Sequence, residues 1–72
     1  MAFEAFPTAV QAGMTTFNMI LKSHIGKTIQ FTTLTGQVIQ GTLEEVTGNL
    51  AVIQNETTNY VLLDNIAWVS LL

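Results

Sequence analysis

The chain has 72 residues, a formal net charge of −3, no cysteine and a mean hydropathy of +0.44. That is one small domain without disulfides or a thiolate metal site. Two lysines, no arginine and five acids argue against the broad electrostatic hold on phosphate backbones that nucleic-acid binders use. A domain this short buries only about 60% of its unfolded surface. Yet 49% of its residues are hydrophobic and 10% charged, so part of the apolar surface is expected to lie between subunits.

Met1 to Phe6 is apolar around Glu4 and reads either as a frayed end or as a hook onto a neighbour. It has no basic n-region, and no apolar run is long enough to span a bilayer, so no signal peptide or membrane contact is expected and the default placement is cytoplasmic. A helix is predicted over 7–25. Pro7 and Thr8 open it, either with Thr8 and Gln11 as a capping box or with Pro7 at the first helical position, and Val10, Met14, Phe17 and Leu21 share one face. Lys22 and His24 suit the last turn, and Gly26 supplies the stop.

Strand-forming residues dominate from Thr28 onward, within TIQFTTLTGQVIQGTLEEVTGNLAVIQ. The first strand, Thr28 to Leu34, points Ile29 and Phe31 inward; Gly36 serves a hairpin turn. The second, Gln37 to Val46, holds Gly41 inside a strand pattern, where glycine marks a sharp bend or the close approach of another backbone. A long strand kinked at glycine is how a small sheet curls into a barrel. Thr47-Gly48-Asn49 is a second hairpin turn, followed by strands over Leu50–Gln54, Tyr60–Leu63 and Ile66–Leu71. In the last strand, alternation puts Ile66, Trp68 and Ser70 on one face and Ala67, Val69 and Leu71 on the other.

No catalytic set stands out. His24 is the lone histidine, and Glu44 and Glu45, being adjacent on a strand, are expected on opposite faces. Gly36 to Gly41 has a phosphate-loop spacing but lacks the lysine and the helix that must follow. The expectation is a protein that is not an enzyme and that needs no cofactor or metal.

The spacing G-x-x-x-x-G-T-L from Gly36 to Leu43, followed by Asn49-Leu50, resembles the first motif of the Sm-like (LSm) family. The run Tyr60-Val-Leu-Leu-Asp-Asn-Ile-Ala-Trp-Val69 resembles its second motif. The likeness covers Ile25 to Leu71 and is nearest to small uncharacterised Sm-like families of bacteria and phages. It implies a mainly β fold over residues 1–72, with an N-terminal helix followed over 28–71 by a strongly bent five-stranded antiparallel barrel of Sm-like, SH3 type. It also implies a homo-oligomeric ring of about five to seven subunits in which the fourth strand of one meets the fifth of the next. Tyr60, Leu62, Ile66, Trp68 and Val69 then form the subunit interface. In the family, the loops preceding the third and fifth strands hold a base of single-stranded RNA near the pore. Carried over, this marks Gly48, Asn49 and Asn65; Lys27, the one cation near a helix end where an anion could settle, is added to them as a candidate RNA contact, although one lysine does not make a patch. The pattern departs from the family's here: Thr47 replaces the usual acid, the stacking residue is missing, and Asp64 stands where Arg-Gly is usual. Two functional readings follow: a weak single-stranded RNA-binding ring, or a ring scaffold that has lost that site and holds a protein partner. A monomeric SH3-like barrel is the third possibility.

Overall fold

A computed structural model describes residues 4–6 and 13–72. The elements are β1 (Glu4–Phe6), α1 (Met14–Lys22), β2 (Thr28–Thr33), β3 (Val38–Thr47), β4 (Leu50–Gln54), β5 (Thr58–Leu62), a turn of 3₁₀ helix (Leu63–Asn65) and β6 (Ile66–Leu71). All neighbouring strands pair antiparallel, in the order β1-β6-β2-β3-β4-β5. The protein is thus mainly β with an N-terminal helix, and five of its strands match the five expected. Two features differ. The N-terminal segment contributes a sixth, three-residue strand on β6, and among the described residues β1 and β5 do not pair, so the sheet curls without closing into a barrel.

Curling originates in β3. Its first half, Val38 to Thr42, pairs with β2, and its second half, Thr42 to Thr47, pairs with β4. At the changeover sits Gly41, where an added Cβ would lie 2.6 Å from the Gln54 carbonyl oxygen and 2.8 Å from the Ile53 Cγ2. No side chain fits there, so glycine lets the β4 backbone come in close. The opening turn is also as expected. Gly36 has φ 90°, its N–H donates to the Thr33 carbonyl at 3.0 Å, and the Gln37 N–H donates to the Thr33 Oγ1 at 3.0 Å.

Inside the curl, Ile29, Phe31, Leu43, Val46, Ala51, Ile53, Val61, Leu63, Ile66 and Val69 are buried. Phe17 and Leu21 of α1 complete this core and Met14 packs beside it, so the helix covers the sheet's concave side by the face its spacing predicted. Val10, the fourth residue of that face, lies outside the described residues, as does the capping box. The helix does not run continuously over 7–25. Gly13, at φ 89° and ψ 155°, is the N-cap of α1, a conformation that breaks any helix passing through it. At the other end Ser23, not Gly26, is the C-cap. His24 Nδ1 lies 2.8 Å from the Ile20 carbonyl, which can only accept, so this nitrogen carries a proton and ties down the helix end.

Two bulges overturn side-chain directions read from strict alternation. Between β3 and β4 the register skips Glu44, so Leu43 and Val46 both face inward while Glu44 and Glu45 are both exposed rather than on opposite faces. Between β2 and β6 it skips Ala67: Thr32 faces Trp68 and Thr33 faces Ile66. Ile66 therefore points into the core, as Val69 does, and Trp68 points outward, 48% exposed. Ile66 and Val69, expected at a subunit interface, are fully buried within the single chain and cannot serve as exposed contacts.

Gly41→Ala is expected to lower stability by about 1–3 kcal/mol, because the methyl must push a backbone carbonyl and not a pliable side chain. The urea midpoint of unfolding measures this. An unchanged midpoint would mean the close approach does not exist.

Candidate functional site

The residues marked by sequence gather mostly at one end of the sheet, where three connections meet. The β3–β4 hairpin turns through Gly48-Asn49, with Gly48 at φ 56° in the position that a two-residue hairpin reserves for glycine. The helix side chain Asn18 holds this turn, its Nδ2 donating to the Gly48 carbonyl at 2.6 Å. The Leu63 N–H donates to the Asn49 carbonyl at 2.7 Å, so the 3₁₀ turn is stitched to the same hairpin. On its other side the Leu34 N–H donates to the Asn65 carbonyl at 2.7 Å, attaching the β2–β3 turn.

Asn49 and Asn65 thus flank one short segment, Leu63–Asn65. Their side chains are in different circumstances. Asn49 Nδ2 donates, at a long 3.4 Å, to the Asp64 carboxylate. Asn65 borders a shallow recess of about 220 Å³ with Thr33, Gln37, Ile39, Tyr60 and Leu62. A wider groove of about 420 Å³ runs along the exposed side of α1, between Met14, Met19, Lys22 and Gly48.

Lys27 is not part of this cluster. It precedes β2 at the end where Leu43 N–H donates to its carbonyl, whereas Asn65 meets the chain beyond the opposite end of β2. A six-residue strand separates them, about 20 Å at the usual rise per residue. Among the described residues, the charged side chain joined to the asparagine pair is Asp64, a carboxylate that repels phosphate. Among the described residues no group of three or more His, Asp or Glu side chains is placed to hold a metal ion. None of the described helices is long and apolar enough to cross a membrane.

The apolar residues left outside form a second kind of site. On β5, Tyr60 is 69% and Leu62 51% exposed; they stand across from the half-buried Val52 and Leu50 of β4. Trp68 stands on β6, with Thr32 and then Val38 beside it across β2 and β3, and Val38 is exposed as well. Trp68 Nε1–H donates to the Ser70 Oγ at 3.0 Å, which fixes the ring against its own strand. Of the interface residues read from sequence, then, Tyr60, Leu62 and Trp68 are exposed. The bulge at Ala67 was not foreseeable from apolar alternation, since either phase of that strand looks equally apolar.

Comparison with family models, with curated proteins and with solved structures finds no match to this chain.

Asn18→Ala is expected to cost about 0.5–1.5 kcal/mol, the net value of one hydrogen bond, and to speed amide exchange in the Gly48-Asn49 turn. Asn49→Ala should leave the urea midpoint nearly unchanged, because its contact is long and solvated. A larger loss from Asn49→Ala than from Asn18→Ala would reverse the assignment of which residue holds the turn.

Proposed function

We propose that this chain is a subunit of a homo-oligomeric ring of Sm-like type, and that the ring serves as an assembly scaffold for a protein partner, without catalytic activity of its own. One observation carries the reading: large exposed apolar side chains stand near both margins of the sheet, Tyr60 and Leu62 on the end strand β5 and Trp68 on β6, which only the three-residue β1 covers at the other end. Unlike ends that pair do so head to tail, and such pairing closes into a ring or continues as a filament. Burial of these side chains on a neighbour would supply the apolar area that so small a domain lacks. The helix followed by five consecutive antiparallel strands, together with the two sequence motifs, favours the Sm-like version of that arrangement.

Charge favours the scaffold. The asparagine pair that a base would meet is accompanied by Asp64, Lys27 lies at the far end of β2, and the chain carries a net −3. A weak single-stranded RNA-binding ring is the second reading, favoured by the grouping of Asn49 and Asn65 on one short segment. Fluorescence anisotropy with oligo-U and oligo-A at low salt separates the two. Silence from a confirmed ring ends the RNA reading, while binding that is lost in Asn49→Ala and Asn65→Ala ends the scaffold reading.

The ring itself is tested by sedimentation velocity over a range of concentrations. The mass is expected to rise to a closed multiple of the 7.9 kDa chain. Emission from Trp68 should shift to the blue in step with the mass. Tyr60→Glu is expected to hold the protein as a folded monomer with unchanged circular dichroism. Val69→Glu, in contrast, should unfold it by placing a charge in the core. A single-chain mass at every concentration would overturn the ring.

A further inference from the structure

The edge of β6 that a neighbour's strand would need is already partly taken. Glu4–Phe6 pairs with β6 in the register Glu4–Leu71, Ala5–Ser70 and Phe6–Val69, on the side opposite β2. Among the described residues only Ile66 to Trp68 remain open along that side, and this stretch holds the bulge at Ala67. At the other end of the sheet, β5 has no outer partner along Thr58–Leu62 among the described residues. A five-residue strand arriving from a neighbour therefore finds half of the β6 edge blocked and the other half distorted.

We propose that β1 is a built-in assembly brake: an intramolecular placeholder that occupies the β6 edge in the lone subunit and is displaced when a neighbour's β5 pairs there. The proposal rests on the ring reading above. Three paired residues at a sheet edge make few net-favourable hydrogen bonds, so the contact is weak enough to exchange. It is nonetheless competitive, because β1 is tethered to its own domain. A short tether gives an effective concentration in the millimolar range, which a neighbour's strand must exceed or outbid. The incoming strand outbids it by length and by burying Tyr60, Leu62 and Trp68, none of which is buried in the single chain. Glu4–Phe6 thereby does two things: it covers an otherwise bare edge while subunits are scarce, and it raises the concentration at which they assemble.

The brake can be locked, because the chain contains no native cysteine to interfere. Residues directly opposite in an antiparallel pair lie at Cα separations that a disulfide spans, so Glu4→Cys with Leu71→Cys should link β1 to β6 within one chain. Sedimentation velocity is run on the oxidised and reduced double variant, and on a chain lacking residues 1–6. The oxidised form is expected to need about tenfold or more higher concentration to assemble than the reduced form, and the shortened chain about tenfold lower than the full chain. Equal assembly of oxidised and reduced forms overturns the brake and leaves the ring standing. So does a disulfide that joins two chains, which would assign β1 to a neighbour. No assembly in any form overturns the ring and the brake with it. If the shortened chain precipitates, the locked and reduced pair still decides.

Discussion

The approach of the β4 backbone to Gly41 governs this molecule. β3 must leave one partner and join another within a single strand, and it can do so only where no side chain stands between it and the Gln54 carbonyl. Once that turn is made, the sheet, one layer thin if flat, wraps into a body nearly equal in all three directions, 29 × 27 × 26 Å. The wrapping creates the concavity that Phe17 and Leu21 fill, and it draws the hairpin at Gly48, the 3₁₀ turn and the turn at Gly36 to their meeting point. Every site considered above is downstream of that one contact.

Features that depend on a single residue's stereochemistry were open to reading from sequence. Gly41 in a strand, Gly36 between strands and Gly48 before Asn49 each sit where their freedom or smallness is needed. The helix face from Met14 to Leu21 was open to the same reading, because period and burial agree there. Features that depend on a register were not. A bulge moves one residue out of the count, and nothing in Leu-Glu-Glu-Val or Ile-Ala-Trp-Val says which residue is passed over. That is why Ile66 and Trp68 belong to opposite faces and Glu44 and Glu45 to the same one. Pairing of Glu4–Phe6 was hidden for a related reason: three residues carry too little pattern to declare a strand, and only the edge they meet makes them one. At the candidate site, the two asparagines could be named, but their unlike surroundings and the remoteness of Lys27 are consequences of topology.

The arrangement as a whole separates two properties that a ring-forming RNA binder would combine. Exposed aromatic and aliphatic side chains stand near both margins of the sheet, on β5 and β6, where the proposed head-to-tail association would bury them. Electrostatics suited to nucleic acid is not matched to it, since among the described residues the charged group beside the asparagine pair is a carboxylate. A protein partner with basic or aromatic contacts would meet a more favourable surface than phosphate does.

The bulge at Ala67 bears on the fibre hazard that any uncovered strand edge carries. Bare sheet margins invite indefinite stacking when they are straight, because identical flat strands template one another. Here the uncovered length of β6 is the warped length, where the extra residue bends the backbone and increases its twist. Local irregularity in one strand thus makes its uncovered length a poor template for flat stacking.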